Sequence, residues 1–314
     1  MKNKWLLLFV VMLGILFLQG QVRPGEYTTE DEVKSINREI EAQGLGWKAA
    51  VNPINRLPAA ERRLRLGTLK PRFNPNRMPM KMELRTNLPA ALDWRAKDGI
   101  NWLTPVKNQG SCGSCWAFGL LGTVEAMAKI ETNRPDIQPD LSEQQILSCS
   151  GAGDCDGGWY DEAADYMKGI NVTLENCFPY TASDKPCDPC ADWHNQGAMI
   201  DSYGWVTLEI ADETAIKNAL QTGPLVVYMD VYSDFYSYDS GVYQPTPSAY
   251  VDGGHAPMIV GYDDALNCWI CKNSWGDSWG ESGYFKIRRG VCEIGIYAVR
   301  VSGVSMFKRG DGTI

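Results

Sequence analysis

The sequence predicts an α+β fold with a helical N-terminal lobe and a C-terminal lobe built from strands. Helical periodicity comes first in its main region, and short β-type runs follow Gly223-Pro224. The 314 residues, 44% of them hydrophobic, are enough for one large globular unit with appended segments. A cleft between two such lobes is a natural place for a catalytic site.

The N-terminus predicts an export signal over residues 1–20. Lys2 and Lys4 precede an almost continuous apolar run from Trp5 to Leu18, and the chain then turns polar. This run is too short to span a bilayer comfortably, which favours a cleaved signal peptide over an uncleaved membrane anchor.

Residues 21–87 form a second segment, distinct from the rest of the chain. The segment has no cysteine and a net charge of +5, whereas residues 88–314 carry a net charge of −15. Opposite charges favour docking of the segment on the main domain, although both could simply be solvated surfaces. A helix is predicted over Glu30–Ala42, where Val33, Ile36 and Ile40 recur at helical spacing. The proline-rich stretch from Lys70 to Pro79 is predicted to be extended and open to proteolysis.

The main domain, residues 88–314, contains four predicted helices and four predicted strands. The helices are expected at Cys115–Ile130, Leu141–Leu147, Asp161–Met167 and Glu213–Leu220. The strands are expected at Leu225–Met229, Met258–Tyr262, Cys268–Lys272 and Tyr284–Arg288.

The densest chemical signal is the stretch from Gln109 to Phe118, which reads QGSCGSCWAF. Its second cysteine, Cys115, starts a predicted helix, so a thiolate there would lie at the positive end of the helix dipole. The Cys115 N–H and the Gln109 side chain could together bind an oxyanion.

A thiol nucleophile needs a base, and the chain has only two histidines. His194 lies in a polar, cysteine-rich loop, whereas His255 follows Gly253 and Gly254 and directly precedes an apolar strand. A lone histidine is more often structural than catalytic, but beside the cysteine motif His255 becomes the candidate base.

A third motif, from Lys272 to Gly280, reads KNSWGDSWG. The carbonyl of Asn273 can accept the second imidazole N–H and fix the ring orientation. Trp275 can cover that hydrogen bond, although Trp-Gly pairs can also simply mark a hydrophobic turn.

Together these three motifs resemble those of the papain-like cysteine proteases, and the likeness covers residues 88–301. Cys155-Asp-Gly-Gly158 resembles the family's substrate-binding strand. Within the family, Val231 to Phe235, Ser240 to Gln244 and Gly253 to Ala256 are similar to the cathepsin B group. That group's histidine-bearing occluding loop is not evident, because only Thr181–Asn195 occupies the region. The resemblance implies a papain-like two-lobed fold with a β-barrel-like second lobe, preceded by an inhibitory propeptide at 21–87.

Carried over residue by residue, the resemblance makes Cys115 the nucleophile, His255 the base and acid, Asn273 the orienting residue and Gln109 the oxyanion donor. It also implies the disulfides Cys112–Cys155 and Cys149–Cys187. The substrate-binding residues that it implies are Gly157, Gly158, Tyr160, Gly254, Trp275 (on the leaving-group side) and Tyr297. A tyrosine at position 297 suggests a shallow apolar specificity pocket.

The remaining cysteines stay unassigned at this point. Of the ten cysteines, Cys177, Cys190, Cys268, Cys271 and Cys292 have no predicted partner, and at least one should be free. Three C-x-x-C pairs also allow a zinc or thiol-redox site, which the export signal and the other motifs disfavour.

We therefore expect a secreted zymogen of a cysteine endopeptidase that acts through a Cys-His-Asn triad and a thioester. The alternative is a catalytically inactive relative that serves as a binding or storage protein. The expected partners are protein and peptide substrates and the chain's own propeptide. No cofactor, metal or nucleic acid is expected, and the protein should be a monomer. An extracellular location is expected, or an acidic lysosome-like compartment in a eukaryote.

Overall fold

The computed structural model describes residues 28–72, 79 and 85–307. The predicted signal at 1–20 and residues 73–78 of the proline-rich stretch lie outside the described residues. None of the helices in the described residues is long and apolar enough to cross a membrane.

The N-terminal segment, residues 28–72, docks on the second lobe. Its first helix, α1 (Thr29–Gln43), begins at a capping box between Thr28 and Asp31 and ends at Gly44, whose φ is 62°. The predicted face of Val33, Ile36 and Ile40 is buried, as the spacing requires. A short strand, β1 (Trp47–Ala49), and a short helix, α2 (Ala59–Arg63), complete the segment's regular structure.

The first lobe is built around a buried helix, α3 (Cys115–Glu131), whose predicted start is confirmed. Helix α4 (Glu143–Cys149) starts two residues later than predicted, because Ser142 caps it by accepting the N–H of Gln145. A hairpin of two short strands, β3 (Gly153–Asp154) and β4 (Gly157–Gly158), leads into α5 (Tyr160–Met167).

The second lobe is a largely antiparallel sheet that includes β1 of the N-terminal segment. Its strand order is β1-β8-β12-β11-β10-β6-β13-β5, and β2 pairs with β10. The bounds are β2 (Ala91–Asp93), β5 (Gly197–Thr207), β6 (Leu225–Val227), β8 (Tyr238–Tyr243), β10 (Met258–Asp263), β11 (Cys268–Lys272), β12 (Tyr284–Arg288) and β13 (Ala298–Phe307). Helix α6 (Glu213–Leu220) has the predicted bounds. Two further strands, β7 (Met229–Tyr232) and β9 (Val251–His255), pair with each other.

The longest ladder joins β13 to β5, and the sequence pattern predicts neither strand. The two strands pair antiparallel from Ala298 opposite Thr207 to Phe307 opposite Gly197. Asp201, Ser202 and Gly204 interrupt the apolar alternation of β5, whose exposure changes irregularly along its length. The ladder therefore depends on long-range pairing more than on a local pattern.

An aromatic cluster in the second lobe receives the N-terminal segment. The Phe235 ring lies 5.0 Å from that of Trp279 and 5.6 Å from that of Trp275. Trp47 of β1 packs edge-on against Tyr243 at 5.0 Å, and β1 pairs with β8. Because these rings also border the cleft, docking here places the rest of the segment across it.

Candidate active site

Cys115 lies at the first turn of α3, where the two lobes meet. The preceding loop is tied to the β3–β4 hairpin by a disulfide between Cys112 and Cys155, and the Gly113 N–H donates to the Cys155 carbonyl at 2.8 Å. The cysteine is fully buried, with the N-terminal segment over it. Both the helix start and the anchored loop fix the sulfur in position.

His255 is the last residue of β9 and is held from one side by Asn273. The imidazole Nε2 lies 2.7 Å from the Asn273 side-chain oxygen. The Trp275 ring covers the pair, with its centroid 5.0 Å from that of the imidazole. The buried Nδ1 has no hydrogen-bond partner of ordinary geometry among the described residues, which suits an atom that exchanges a proton with a thiol.

The pKa of Cys115 is lower than that of an ordinary thiol. Burial acts in the opposite direction, because it disfavours the thiolate. The neighbouring charge of His255 outweighs that effect, with smaller contributions from the Thr68 hydroxyl and the Ala256 backbone. The arrangement therefore favours an activated, anionic sulfur.

Gln109 lies beside this pair with its amide held at both ends. Its Nε2 donates to the Arg65 carbonyl at 3.0 Å and to the Cys112 carbonyl at 2.9 Å. Its Oε1 accepts from the Ser274 hydroxyl at 2.7 Å. The backbone N–H of Gln109 also donates to the Ser274 carbonyl at 2.9 Å.

Ser274 is a positioning residue that the sequence motifs did not single out. Its position directly after Asn273 could have indicated its role, because adjacent residues lie in the same turn. Tyr180 was missed as well: its hydroxyl donates to the Gln109 carbonyl at 2.7 Å and lies 2.6 Å from the Ser114 hydroxyl.

The predicted substrate-binding glycines line the cleft, where they contact the N-terminal segment. The Gly158 N–H donates to the Gly67 carbonyl at 2.8 Å, and the Leu69 N–H donates to the Gly158 carbonyl at 3.0 Å. The carbonyl of Gly254 accepts the N–H groups of Gly67 and Thr68. A Cβ on Gly254 would lie 2.2 Å from the Thr68 carbonyl oxygen, so a larger residue would block this approach.

The two predicted tyrosines occupy different depths. Tyr160 is fully buried, and its hydroxyl donates to the Tyr297 carbonyl at 3.1 Å. The structure therefore places Tyr160 behind the cleft surface as a support. Tyr297 is half-buried and packs edge-on against Tyr228, with ring centroids 6.0 Å apart.

The N-terminal segment fills the cleft at the reactive atoms. The Thr68 hydroxyl lies 3.0 Å from the Cys115 sulfur. Before Thr68, Arg63 pairs with Asp252 at 2.6 Å, near the Tyr236 ring that stacks on Trp275. Beyond Thr68, the segment runs along Gly158 and Trp159, whose indole N–H donates to the Lys70 carbonyl at 3.1 Å.

Three disulfides are present in the described residues. Cys112–Cys155 and Cys149–Cys187 are the two that the family resemblance implies, and Cys177–Cys190 joins two unassigned cysteines. The free cysteines are Cys115, Cys268, Cys271 and Cys292, all buried. Because Cys112, Cys187 and Cys190 are oxidised, they cannot serve as thiolate zinc ligands.

His194 lies outside the reactive cluster. It is an exposed residue on a short 3₁₀ helix (Trp193–Asn195), close to the Cys177–Cys190 disulfide. His255 is thus the histidine that the fold brings to Cys115.

The family described as "Papain family cysteine protease" matches residues 88–303. The chain belongs to the papain family of cysteine proteases. The match begins where the sequence predicts the main domain, at Leu88, and includes every residue of the Cys-His-Asn cluster.

Individual papain-family relatives agree with this result. The "Cathepsin L-like proteinase" of Fasciola hepatica is 36% identical over 208 residues, which cover 64% of this chain and 61% of that protein. The chain therefore spans about three fifths of that relative's length. A digestive procathepsin L 3 of Tenebrio molitor has a TM-score of 0.73 at 28% identity, covering 88% of this chain and 89% of that one. ProCathepsin B S9 from Trypanosoma congolense shares the fold, with a TM-score of 0.75 at 24% identity over 86% and 97% of the two chains.

Proposed function

We propose that this chain is the precursor of a cysteine endopeptidase, with a propeptide at 21–87 and a catalytic domain at 88–314. The single observation that carries the proposal is the cluster of Cys115, His255 and Asn273. In that cluster an imidazole held at 2.7 Å by an amide oxygen lowers the pKa of a buried thiol. A structural role would not need a nucleophile, a base and an orienting group in that order.

In the proposed reaction, the Cys115 thiolate attacks the carbonyl carbon of a peptide bond. The oxygen becomes an oxyanion that accepts hydrogen bonds from the Gln109 Nε2 and the Cys115 backbone N–H. The protonated His255 donates its proton to the nitrogen as the C–N bond breaks, so the amine leaves neutral. A thioester on Cys115 remains.

Water then completes the cycle. His255, now neutral, takes a proton from a water molecule that attacks the thioester carbonyl, and the thiolate leaves as the acid product forms. Asn273 keeps the imidazole oriented through both steps, and Trp275 shields their hydrogen bond from water. No step calls for a cofactor.

The propeptide is proposed to inhibit by lying in the cleft in the reverse direction. A substrate places the residues before its scissile bond on the Gly158 side and its leaving amine on the Trp275 side. The propeptide instead enters beside Trp275 and leaves along Gly158. Its Gly67 and Thr68 N–H groups are engaged by the Gly254 carbonyl, and its Arg65 carbonyl occupies the donor of Gln109.

Two ion pairs support an electrostatic part of this inhibition. Arg63 pairs with Asp252 at 2.6 Å, and Lys70 pairs with Glu293 at 2.7 Å. Acidification reduces the negative charge of the main domain as a whole and weakens its attraction for the basic segment, so acid should speed release of the propeptide. We expect the precursor to process itself faster at acidic than at neutral pH, and an unchanged rate would count against this latch.

An epoxide thiol reagent tests the proposed function directly. After the precursor has been processed, mass spectrometry should find one adduct on Cys115, and the labelled enzyme should no longer hydrolyse a fluorogenic peptide. The Cys115→Ala variant should form no adduct and show no hydrolysis. The predicted export signal supports a location outside the cell or in an acidic compartment, where we propose that the enzyme acts as a monomer. Absence of an adduct, with intact folding, would favour the binding-protein alternative.

A further inference from the structure

A cluster of side chains on the Gly158 side of the cleft contains two carboxylates and two tyrosine rings. Tyr228 and Tyr297 pack edge-on, and the Tyr228 hydroxyl donates to the Asp230 carboxylate at 2.7 Å. Glu293 lies on the loop before β13 and is partly exposed to the cleft. We call Tyr228, Asp230, Glu293 and Tyr297 the acidic pocket.

The structure holds a cation in this pocket. The Lys70 ammonium lies 2.7 Å from a Glu293 carboxylate oxygen and 5.5 Å from the centre of the Tyr228 ring. The hydrogen bond with Glu293 is the main cause that raises the pKa of Lys70, and the charge of Asp230 adds to the effect. The pocket thus stabilises positive charge by an ion pair, a second carboxylate and a ring face.

The backbone that presents Glu293 adopts an unusual conformation. Cys292 and Glu293 have φ values of 55° and 54°, a left-handed region that non-glycine residues rarely occupy. The turn is held because the Asp230 N–H donates to the Cys292 carbonyl at 2.8 Å. Strain that persists next to a cleft is typical of a functional site, where the surrounding structure maintains it.

The position of Lys70 shows which part of a substrate would reach the pocket. Thr68 lies on the Cys115 sulfur, and Leu69 hydrogen-bonds to Gly158. The Lys70 side chain therefore enters the pocket two residues from the reactive sulfur, on the side proposed for the acyl part. Since the propeptide runs backwards, a substrate residue before the scissile bond would occupy the same place.

We propose that the acidic pocket selects substrates with Lys or Arg among the three residues before the scissile bond, through Glu293 and Asp230. The inference rests on the proposed endopeptidase activity and adds its substrate class. Tyr297 alone suggested an apolar pocket, whereas the fold brings two carboxylates to its side. In the precursor, Lys70 occupies the subsite and acts as a substrate mimic.

The test uses enzyme that the full-length precursor releases by processing, titrated with the epoxide reagent so that only active molecules are counted. A library of fluorogenic tetrapeptides scans the three positions before the scissile bond. We expect the wild type to favour Lys or Arg over Leu at one position, by roughly tenfold in kcat/KM. Glu293→Gln should reduce that preference to near unity, and Glu293→Lys should reverse it.

The control variant is Asp201→Asn, which removes an exposed carboxylate on β5, away from the acidic pocket. It should leave the Arg-to-Leu ratio unchanged. Because Glu293 variants could misfold, salt provides a second measurement on the wild type: added NaCl should lower kcat/KM for the Arg substrate far more than for the Leu substrate.

Two results would overturn the inference while leaving the proposed function intact. One is hydrolysis with apolar preference at all three positions. The other is an Arg preference that Glu293→Gln does not alter. If no peptide is cleaved and no active site can be titrated, the proposed function itself fails.

Discussion

At the scale of single residues, the reactivity of Cys115 depends on two opposing effects on its pKa, one from burial and one from the neighbouring His255. Burial alone would raise the pKa of the thiol, and the imidazole reverses the sign. The helix start and the disulfide-anchored loop position the sulfur, but the charged partner is what makes it a nucleophile at acid pH.

Replacing the base should therefore change how alkylation of Cys115 depends on pH. In the processed enzyme, the rate of inactivation by iodoacetamide should persist well below the pKa of an ordinary thiol. In His255→Asn the imidazole that lowers the pKa of the thiol is gone, so the reaction should need a pH near or above the pKa of an ordinary thiol. At pH 6 we expect the rate to fall by about 100-fold or more. Similar pH profiles for both proteins would contradict this assignment of the thiolate's partner.

Ser274 should act on catalysis only through Gln109. Its hydroxyl donates to the Gln109 Oε1, which leaves the amide nitrogen pointing to the reactive centre. Ser274→Ala should lower kcat several-fold with little change in KM, whereas Gln109→Ala should cost about 10²–10³ in kcat. In the double variant the loss should match that of Gln109→Ala alone.

The control for this prediction is Ser202→Ala, an exposed hydroxyl that lies 3.0 Å from the Ser302 hydroxyl. Its steady-state kinetics should equal those of the wild type. Additive losses in the Ser274 and Gln109 double variant would show that Ser274 acts independently.

At the scale of elements, the propeptide reaches Cys115 because its backbone can approach the catalytic loop closely. A Cβ at Gly67 would lie 1.9 Å from the Gly113 carbonyl oxygen. Glycine is thus required where the two backbones meet, while α1 and β1 anchor the segment some distance away.

Gly67→Ala should therefore expel the propeptide from the cleft without unfolding it. We expect the precursor to react with the epoxide reagent and to process itself faster, by about tenfold or more, since a clash with backbone cannot be relieved by a rotamer change. Gly46→Ala is the matched control, because a Cβ there meets nothing within 4 Å. Equal labelling rates for the two precursors would argue against inhibition by occupancy.

At the scale of the whole molecule, a buried group of charges beneath the cleft links stability to pH. Lys107 lies 2.8 Å from both Glu125 and Glu143, and 2.7 Å from Asp140. Burial raises the pKa of Glu143 to about 8, and the negative charge of Glu125 adds to the effect despite Lys107. Glu175 adds to the same effect on Glu143. Lys272 also faces Glu125 and Glu143, but burial lowers its pKa to about 8, so carboxylates outnumber cations in the group.

This group predicts lower stability at neutral than at acid pH. In the unfolded chain Glu143 loses its proton near 4.5, whereas the folded protein retains it to about pH 8. The folded state therefore binds more protons in that window, and its stability falls as the pH rises through it. Such behaviour would suit an enzyme of an acidic compartment.

Urea unfolding of a Cys115→Ala precursor, which cannot digest itself, would measure the effect. Glu143→Gln changes the free energy of unfolding relative to that background, and this change should be more favourable at pH 8 than at pH 5 by at least about 1 kcal/mol. Glu162→Gln, at a half-buried carboxylate on α5, is the control and should show no such change. A difference that does not vary with pH would mean that Glu143 is ionised throughout.

Local patterns in the chain were enough to locate several elements and to name the reactive residues. Helical spacing located α1, α3 and α6, because a buried face leaves a periodic signal in the sequence. The motifs around Cys115, His255 and Asn273 named three side chains that the fold then brings together. Both kinds of prediction depend on neighbours in sequence.

Contacts between residues far apart in the chain became known only from the folded molecule. The fold pairs β5 with β13 and Cys177 with Cys190, and it places Thr68 on the Cys115 sulfur. It also brings Glu293 and Asp230 to one pocket, where a tyrosine alone had suggested an apolar surface. Loop closure over such separations leaves no local periodicity, so these contacts arise from packing and charge in three dimensions.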